Sequence, residues 1–377
     1  MRLRGWLLVS GFLCLPLVVS AQEITIGMSA TMTGPNAANG VPYRNAAEVY
    51  PKTLGGVPVR YIVLDDATDP TTAAKNARSF IDAHVDAMLG STSTATAAAM
   101  MDLAVSSGTP QIAMAPVVIS PANYPWVFSV PQPVGIMVSA IVADAVKRGA
   151  KTISFLGYND GWGDLNWGAL NAAVKGTGLT VVGGERFGRT DTSVTAQALK
   201  IIAAKPDAVF IGATGTSGAL PETTLKDQGY EGTFYQTHGS VMKPFIDALG
   251  GAGDGTMLPT GPMVVANDLP ESNPVKAVSL NFISTFDAKW GRGSASPISG
   301  YAWDGMKLLD AAAAQAVKVA KPGTPEFRLA LRDALQSGHD VVGTNGVYHY
   351  TPQDHYGVDE RARVLVVIRD GGFHLVK

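Results

Sequence analysis

From Glu23 to Gln236, short apolar runs alternate with longer segments whose apolar positions recur every three or four residues. The runs predict strands and the periodic segments predict helices. Glu23–Met28 predicts a strand, followed by a loop rich in Thr, Gly, Pro and Asn (Thr31–Gly40) and a helix over Pro42–Tyr50 before the Gly55-Gly56 turn. Pro58–Asp65 predicts a second strand. After Asp69-Pro70, the positions Ala73, Ala77, Phe80, Ile81 and His84 share one face of an amphipathic helix, with His84 as a core residue. Asp86–Gly90 is a short buried strand that Gly90 ends. Four hydroxyl residues follow (Ser91, Thr92, Ser93, Thr94), then an alanine-rich helix through Met101. Pro110–Ala115 and Trp126–Val130 predict further strands.

Pro131-Gln132-Pro133 marks a crossing point, after which the alternation starts again. Helices are expected over Ile136–Arg148 and Leu165–Lys175, across Val194, Ala198, Ile201 and Ile202, and over Ser217–Gln228. Strands are expected at Thr152–Gly157, Leu179–Gly184, Asp207–Gly212 and Thr233–Gln236. Strands alternating with helices of this length build βαβ units and parallel sheets. An internal echo points to duplication: Asp69 to Gly90 and Asp191 to Gly212 both run acid, alanine-bearing helix, Asp, apolar strand, glycine, hydroxyl residue. The remainder starts no third domain. Val275, Val278, Phe282, Phe286 and Trp290 mark one helix, Trp303, Met306 and Ala313 a second, and Phe327, Leu331, Ala334 and Leu335 a third. Helices with hardly a strand between them are expected to cover the first lobe's sheet. The closing β runs, Gly346–Tyr350 and Ala362–Ile368, return to the body, so the chain crosses between lobes several times and forms a hinge.

A length of 377 residues fits two such lobes, and 46% apolar with 16% charged residues is a globular composition. A net charge of -2 supplies no field for nucleic acid or an acidic membrane surface. At the N-terminus, Arg2 and Arg4 precede an apolar stretch from Trp6 to Val19 and the small residues Val19-Ser20-Ala21, the pattern of a cleaved signal peptide over 1–21. The stretch falls short of the roughly 20 residues that span a bilayer. Cys14, the single cysteine, lies inside this segment and follows Leu13, so it is not read as a lipid-attachment site. A mature chain without cysteine has no disulfide, thiolate metal site or cysteine nucleophile. The expected location is a bacterial periplasm.

Strand, glycine, hydroxyl cluster and helix over Asp86–Met100 leave backbone N–H groups and hydroxyls converging outside a strand's carboxyl end, which suits a carboxylate. Other chemistries are weaker. Gly212–Gly218 is spaced G-x-x-G-x-x-G and lacks the acid about 20 residues later that a dinucleotide fingerprint requires. His349, Asp354 and His355 form no helical metal-ligand pair and fit a hydrogen-bonded turn. No G-x-S-x-G elbow occurs. No cofactor and no metal are expected.

Several segments together resemble the leucine/isoleucine/valine-binding family, the type I periplasmic solute receptors of ABC importers. They are Ile24–Gly34 at the opening strand and loop, Tyr301–Leu309 on a late helix, and Gly346–Gly357 with Gly371–Val376 at the end. The likeness runs over essentially the whole mature chain. It implies an α/β fold of two Rossmann-like lobes with parallel sheets, joined by three crossovers, closing on a ligand in the cleft. The lobes are expected at 22–133 with 266–360 and at 134–265 with 361–377. The implied partners are a small-molecule carboxylate ligand and the membrane permease of an importer; the protein is expected to be a monomer.

The resemblance places the carboxylate-holding hydroxyl on Thr94, with Ser93 beside it, and puts Asn39, Val117 and Tyr301 at the cleft. Where the family has a threonine after the fourth strand, this chain has Ile119. The aromatic wall of the second lobe falls on Trp162, and a position often aromatic in amino acid receptors falls on Thr214. The acid that pairs with a ligand's ammonium falls on His238. Glu222 or Asp304 is the alternative for that role under a shifted alignment. An imidazole cannot replace a carboxylate as partner of a buried ammonium, but it can hydrogen-bond a hydroxyl or a carboxylate. The expected ligand is a small carboxylate, either branched-chain amino acid-like or, as His238 favours, an aromatic or other organic acid without an α-ammonium stacked on Trp162. The competing function is an exported α/β hydrolase with His238 as base near Ser240.

Overall fold

Ile24–Ala30 is buried along its whole length, as a central parallel strand covered on both faces must be. It is the first strand, β1, of a computed structural model that describes residues 22–376. The signal peptide expected over 1–21, with Cys14, lies outside the described residues. In chain order β1 is followed by α1 (Ala37–Ala47), β2 (Thr53–Leu54), β3 (Val57–Asp65), α2 (Pro70–Asp82), β4 (Ala87–Leu89), α3 (Thr94–Ser107), β5 (Gln111–Ala113) and β6 (Val127–Ser129). These strands form one sheet in the order β2-β3-β1-β4-β5-β6, parallel except for β2.

The second run comprises α4 (Val134–Lys147), β7 (Thr152–Tyr158), α5 (Gly161–Ala173), β8 (Thr180–Phe187), α6 (Thr195–Ala203), β9 (Ala208–Gly212), α7 (Ala219–Asp227), β10 (Thr233–Gln236), α8 (Lys243–Leu249) and β11 (Met257–Thr260). Then come α9 (Pro274–Trp290), α10 (Pro297–Ala316), α11 (Pro325–Leu335), the hairpin β12 (Val341–Val342) with β13 (Val347–Tyr348), and β14 (Val364–Arg369) with β15 (Gly372–Leu375). The second large sheet has the order β15-β14-β11-β10-β9-β7-β8. Its core β8-β7-β9-β10 repeats the arrangement of β3-β1-β4-β5, and the sequence echo falls on matching units, α2–β4 and α6–β9. The fold is thus two α/β lobes with mostly parallel sheets. The sheet of the second lobe ends in the antiparallel strands β14 and β15.

Several local expectations are corrected. Helix α1 begins at Ala37 and contains Pro42, although Thr31–Gly40 reads as a loop. Gly40 sits so close to the end of β1 that an added Cβ would come within 1.7 Å of the Thr31 carbonyl oxygen, and this packing overrides the local signal. His84 is exposed: α2 stops at Asp82, and His84 takes a left-handed turn (φ 53°) just beyond it. The sequence pattern marks neither α8 (7 residues) nor β11 (4 residues).

Helices α9 to α11 cover the first sheet, with Phe282, Tyr301, Met306 and Phe327 in one apolar cluster with Ile24, Ile26 and Met28. The crossovers meet at Gln132. Its Nε2 donates to the carbonyls of Asn345 (3.2 Å) and Ala362 (2.7 Å), and its Oε1 accepts from Tyr301 Oη (2.5 Å). A second node lies at the carboxyl ends of β1, β3 and β4. Fully buried Asp66 accepts from Ser29 Oγ (3.0 Å), Thr31 Oγ1 (2.8 Å), Thr68 N (3.2 Å) and Ser91 Oγ. It fixes three loops at once. Replacing Asp66 by Ala leaves three buried hydroxyls without their acceptor, and urea unfolding should show stability reduced by about 3 kcal/mol or more.

Candidate ligand-binding cleft

Ligands of parallel α/β sheets sit outside the carboxyl ends of the strands. In this chain the segments that follow β1, β4, β5 and β6 face those that follow β7, β8, β9 and β10. Between them is a small cavity of about 40 Å³, on a scale where one water takes roughly 10–15 Å³. From the first lobe, Asn39, Ser93, Thr94 and Tyr301 line it; from the second, Trp162, Thr214 and His238. Seven of the nine residues expected at the site are thus brought together.

Val117 and Ile119 are not. After β5 the chain presents Met114, Ala115 and Pro116 to the cavity. Val117 and Ile119 turn into a separate apolar cluster with Phe80 and Met100. Tyr356 holds them there: its Oη donates to the Val117 carbonyl (2.7 Å) and accepts from the Ile119 amide (3.0 Å).

The first-lobe half is the N-terminus of α3. Ser93 and Thr96 form a capping box, with the Ser93 amide donating to Thr96 Oγ1 (3.3 Å) and the two hydroxyl oxygens 2.7 Å apart. Thr94 Oγ1 donates to the Pro116 carbonyl (3.0 Å). The hydroxyls therefore shape the site while the helix end gives it a positive bias.

The second-lobe half is built on short connections after parallel strands. Asp160 caps α5 by accepting from the amides of Trp162 (3.0 Å) and Gly163 (3.2 Å), which starts the helix earlier than Leu165 and fixes Trp162. The Trp162 indole donates to the Ala213 carbonyl (3.3 Å) and meets the His238 ring edge-on at 5.3 Å. Burial pushes the His238 imidazole down to about 4, so it is neutral near pH 7. Its Nε2 is buried without a hydrogen-bond partner, as is Asn39 Oδ1.

Arg189, which no motif marks, also lines the cavity. It sits just past β8, with its side chain 16% exposed and its guanidinium over the Tyr158 ring at 4.1 Å. Its Nε donates to Asp160 Oδ2 (2.6 Å), and its Nη1 donates to Thr214 Oγ1 (3.3 Å). Thr214 Oγ1 in turn donates to Asn36 Oδ1 (3.2 Å) from the facing lobe.

No Asp or Glu among the described residues lines the cavity. The alternative acids are engaged elsewhere. Glu222 accepts from Lys226 (3.0 Å), Gln236 (2.9 Å) and Thr256, and burial raises its pKa. Asp304 accepts from the amides of Thr344 (2.6 Å) and Asn345 (3.0 Å) and from Tyr348 Oη (3.0 Å), with burial raising it to about 6. His238 and Ser240 do not form the base–nucleophile pair of a hydrolase, because neither His238 Nε2 nor Ser240 Oγ has a partner. His355 uses both ring nitrogens, on the Val127 carbonyl (2.8 Å) and Gln336 (3.2 Å), and stacks on Phe128.

A family model described as periplasmic binding protein matches residues 23–372. An extracellular ligand-binding receptor from Rhodopseudomonas palustris HaA2 is 40% identical, covering 94% of this chain and 100% of that one, with a TM-score of 0.92. Another extracellular ligand-binding receptor from Rhodopseudomonas palustris is 41% identical, covering 94% and 99% with a TM-score of 0.92. A leucine binding protein from Thermotoga maritima MSB8 is 18% identical over 94% of this chain and 98% of that one; its TM-score of 0.79 shows the shared fold. No curated protein matches the chain.

The neutral imidazole has a consequence for stability. Above the unfolded histidine value of about 6.5 neither state of the chain binds the proton, and His238 contributes nothing. As pH falls from about 6.5 towards about 4 the unfolded chain takes up a proton that the folded one refuses, so stability drops, on the order of 3 kcal/mol in full. Urea unfolding at about pH 7 and about pH 4.5 should show His238→Asn losing that part of the acid sensitivity.

Proposed function

Because the chain belongs to the periplasmic binding protein family, we propose that it is the solute receptor of an ABC importer, and that it holds a small carboxylate lacking an α-ammonium. The receptor is exported to the periplasm by the signal peptide at 1–21 and works as a monomer. Residues 22–133 with 266–360 form one lobe, and 134–265 with 361–377 the other. They open to hand the ligand to the membrane permease.

One observation carries this ligand class: the cavity is lined without a carboxylate, and buried, neutral His238 lines it, the residue on which the family resemblance puts an amino acid receptor's acid. An ammonium enclosed there would be a buried charge without a counter-charge. A carboxylate instead meets the positive end of α3 and a guanidinium. The rest of the lining, with Trp162, Tyr43, Met114, Ile298 and Tyr301, suits an aromatic or branched apolar body.

Thermal unfolding against a panel of organic acids and amino acids tests the reading. A ligand at about 100 times its Kd should stabilise the protein by about 2.7 kcal/mol and be recovered unchanged by mass spectrometry. Ammonium-free acids are expected to raise the midpoint. Stabilisation by leucine, isoleucine and valine alone would refute the ligand class, and conversion of the ligand would refute the receptor assignment. His238→Glu is expected to weaken acid binding and to admit an amino acid.

A further inference from the structure

We infer that Arg189 is the group that grips the ligand's carboxylate and sets the preference for acids, an assignment that rests on the carboxylate reading above. Among the described residues that line the cavity, Arg189 is the one with a cationic side chain. A guanidinium has five N–H donors and no acceptor, so it can only donate. Three of its directions are occupied by the protein: Nε on Asp160, and Nη1 on Thr214 with Asn36 Oδ1 at 3.5 Å. Nη2 makes no hydrogen bond to any described residue. Asp160 and the Tyr158 ring lock the guanidinium plane, so the free edge is held ready rather than left to find its ligand.

The first lobe offers the cavity no charged donor, only neutral groups such as the Asn39 amide. A hydroxyl has one proton, and Thr94 gives its own to the Pro116 carbonyl. The Ser93 hydroxyl is engaged with Thr96. In this arrangement Thr94 can accept from a ligand but cannot donate to a carboxylate. The capping box also occupies the N-cap and N3 amides of α3, so the helix end contributes its dipole and what backbone donors remain.

Placement adds a second role. Arg189 and Thr214 belong to the second lobe, while the Asn36 oxygen that both approach belongs to the first. A carboxylate on Arg189 therefore binds next to the hydrogen bonds that join the lobes, and the ligand's charge is read at the point of closure. Asp160 keeps Arg189 paired when the cleft opens, so the charge does not depend on the ligand for a partner.

The test uses the mature protein, with benzoate, phenylacetate, cinnamate and hexanoate as probes beside their carboxamides. Calorimetric titration is done with the acid that most raises the melting midpoint. Wild type should bind the acid roughly 10- to 100-fold more tightly than its amide, as a charge-assisted hydrogen bond predicts. Arg189→Gln should lose that preference while still binding the amide, which shows that the cleft remains folded. Arg189→Lys should keep part of it. Wild-type affinity and acid preference in Arg189→Gln would overturn the inference alone. Stabilisation of wild type by leucine and by no ammonium-free acid would overturn instead the ligand class on which it rests.

Discussion

A buried acid that can only accept must be surrounded by donors, and Asp66 meets that demand by drawing in three strands. Its oxygens take hydroxyls from the end of β1, the segment beyond it and the turn after β4, while Asp66 itself directly follows β3. Loops at the carboxyl ends of parallel strands would otherwise move independently. Here one carboxylate ties them together. Thr92, hung from the same turn, accepts the Thr31 amide at its hydroxyl (2.9 Å) and the Asn36 side chain at its carbonyl (3.3 Å). The start of α1 and the start of α3 are thus set against each other in the first-lobe wall.

The facing wall is held by a charge instead of a hydroxyl cluster. Asp160 serves two elements: one oxygen caps α5 and the other takes the guanidinium that comes over from the end of β8. Trp162, Thr214 and Arg189 are therefore positioned by a few linked contacts. Where the two walls meet, the seam is polar and specific, running from Asn36 to Thr214 and Arg189. Such contacts join the two lobes directly beside the cavity.

Much of this was legible along the chain. Continuous apolar runs such as Ala208–Gly212 are buried strands, and Asp69-Pro70 starts α2 with the side chain of Asp69 accepting from Thr72 (2.6 Å). The hydroxyl cluster before α3 does face the cleft. Resemblance to a family puts Trp162, Thr214 and His238 at the site, and all three line one cavity. The same resemblance puts Val117 and Ile119 at the cleft, but they pack into a separate cluster, because the turn at Pro116 and the grip of Tyr356 depend on a segment far along the chain.

What the sequence alone determined is the order of strands and helices, the repeated unit and the chemistry of the α3 start, all of which rest on neighbours a few residues apart. Only the tertiary structure decided the sign of charge in the cleft. Arg189 stands between Gly188 and Thr190 with no period or motif to mark it, and its partners lie 29 residues away at Asp160 and 153 away at Asn36. Glu222 and Asp304 looked like equal candidates for the same space until their donors were seen to lie elsewhere. Periodicity records which face of an element is buried; which charges end up facing one another depends on how the two lobes come together.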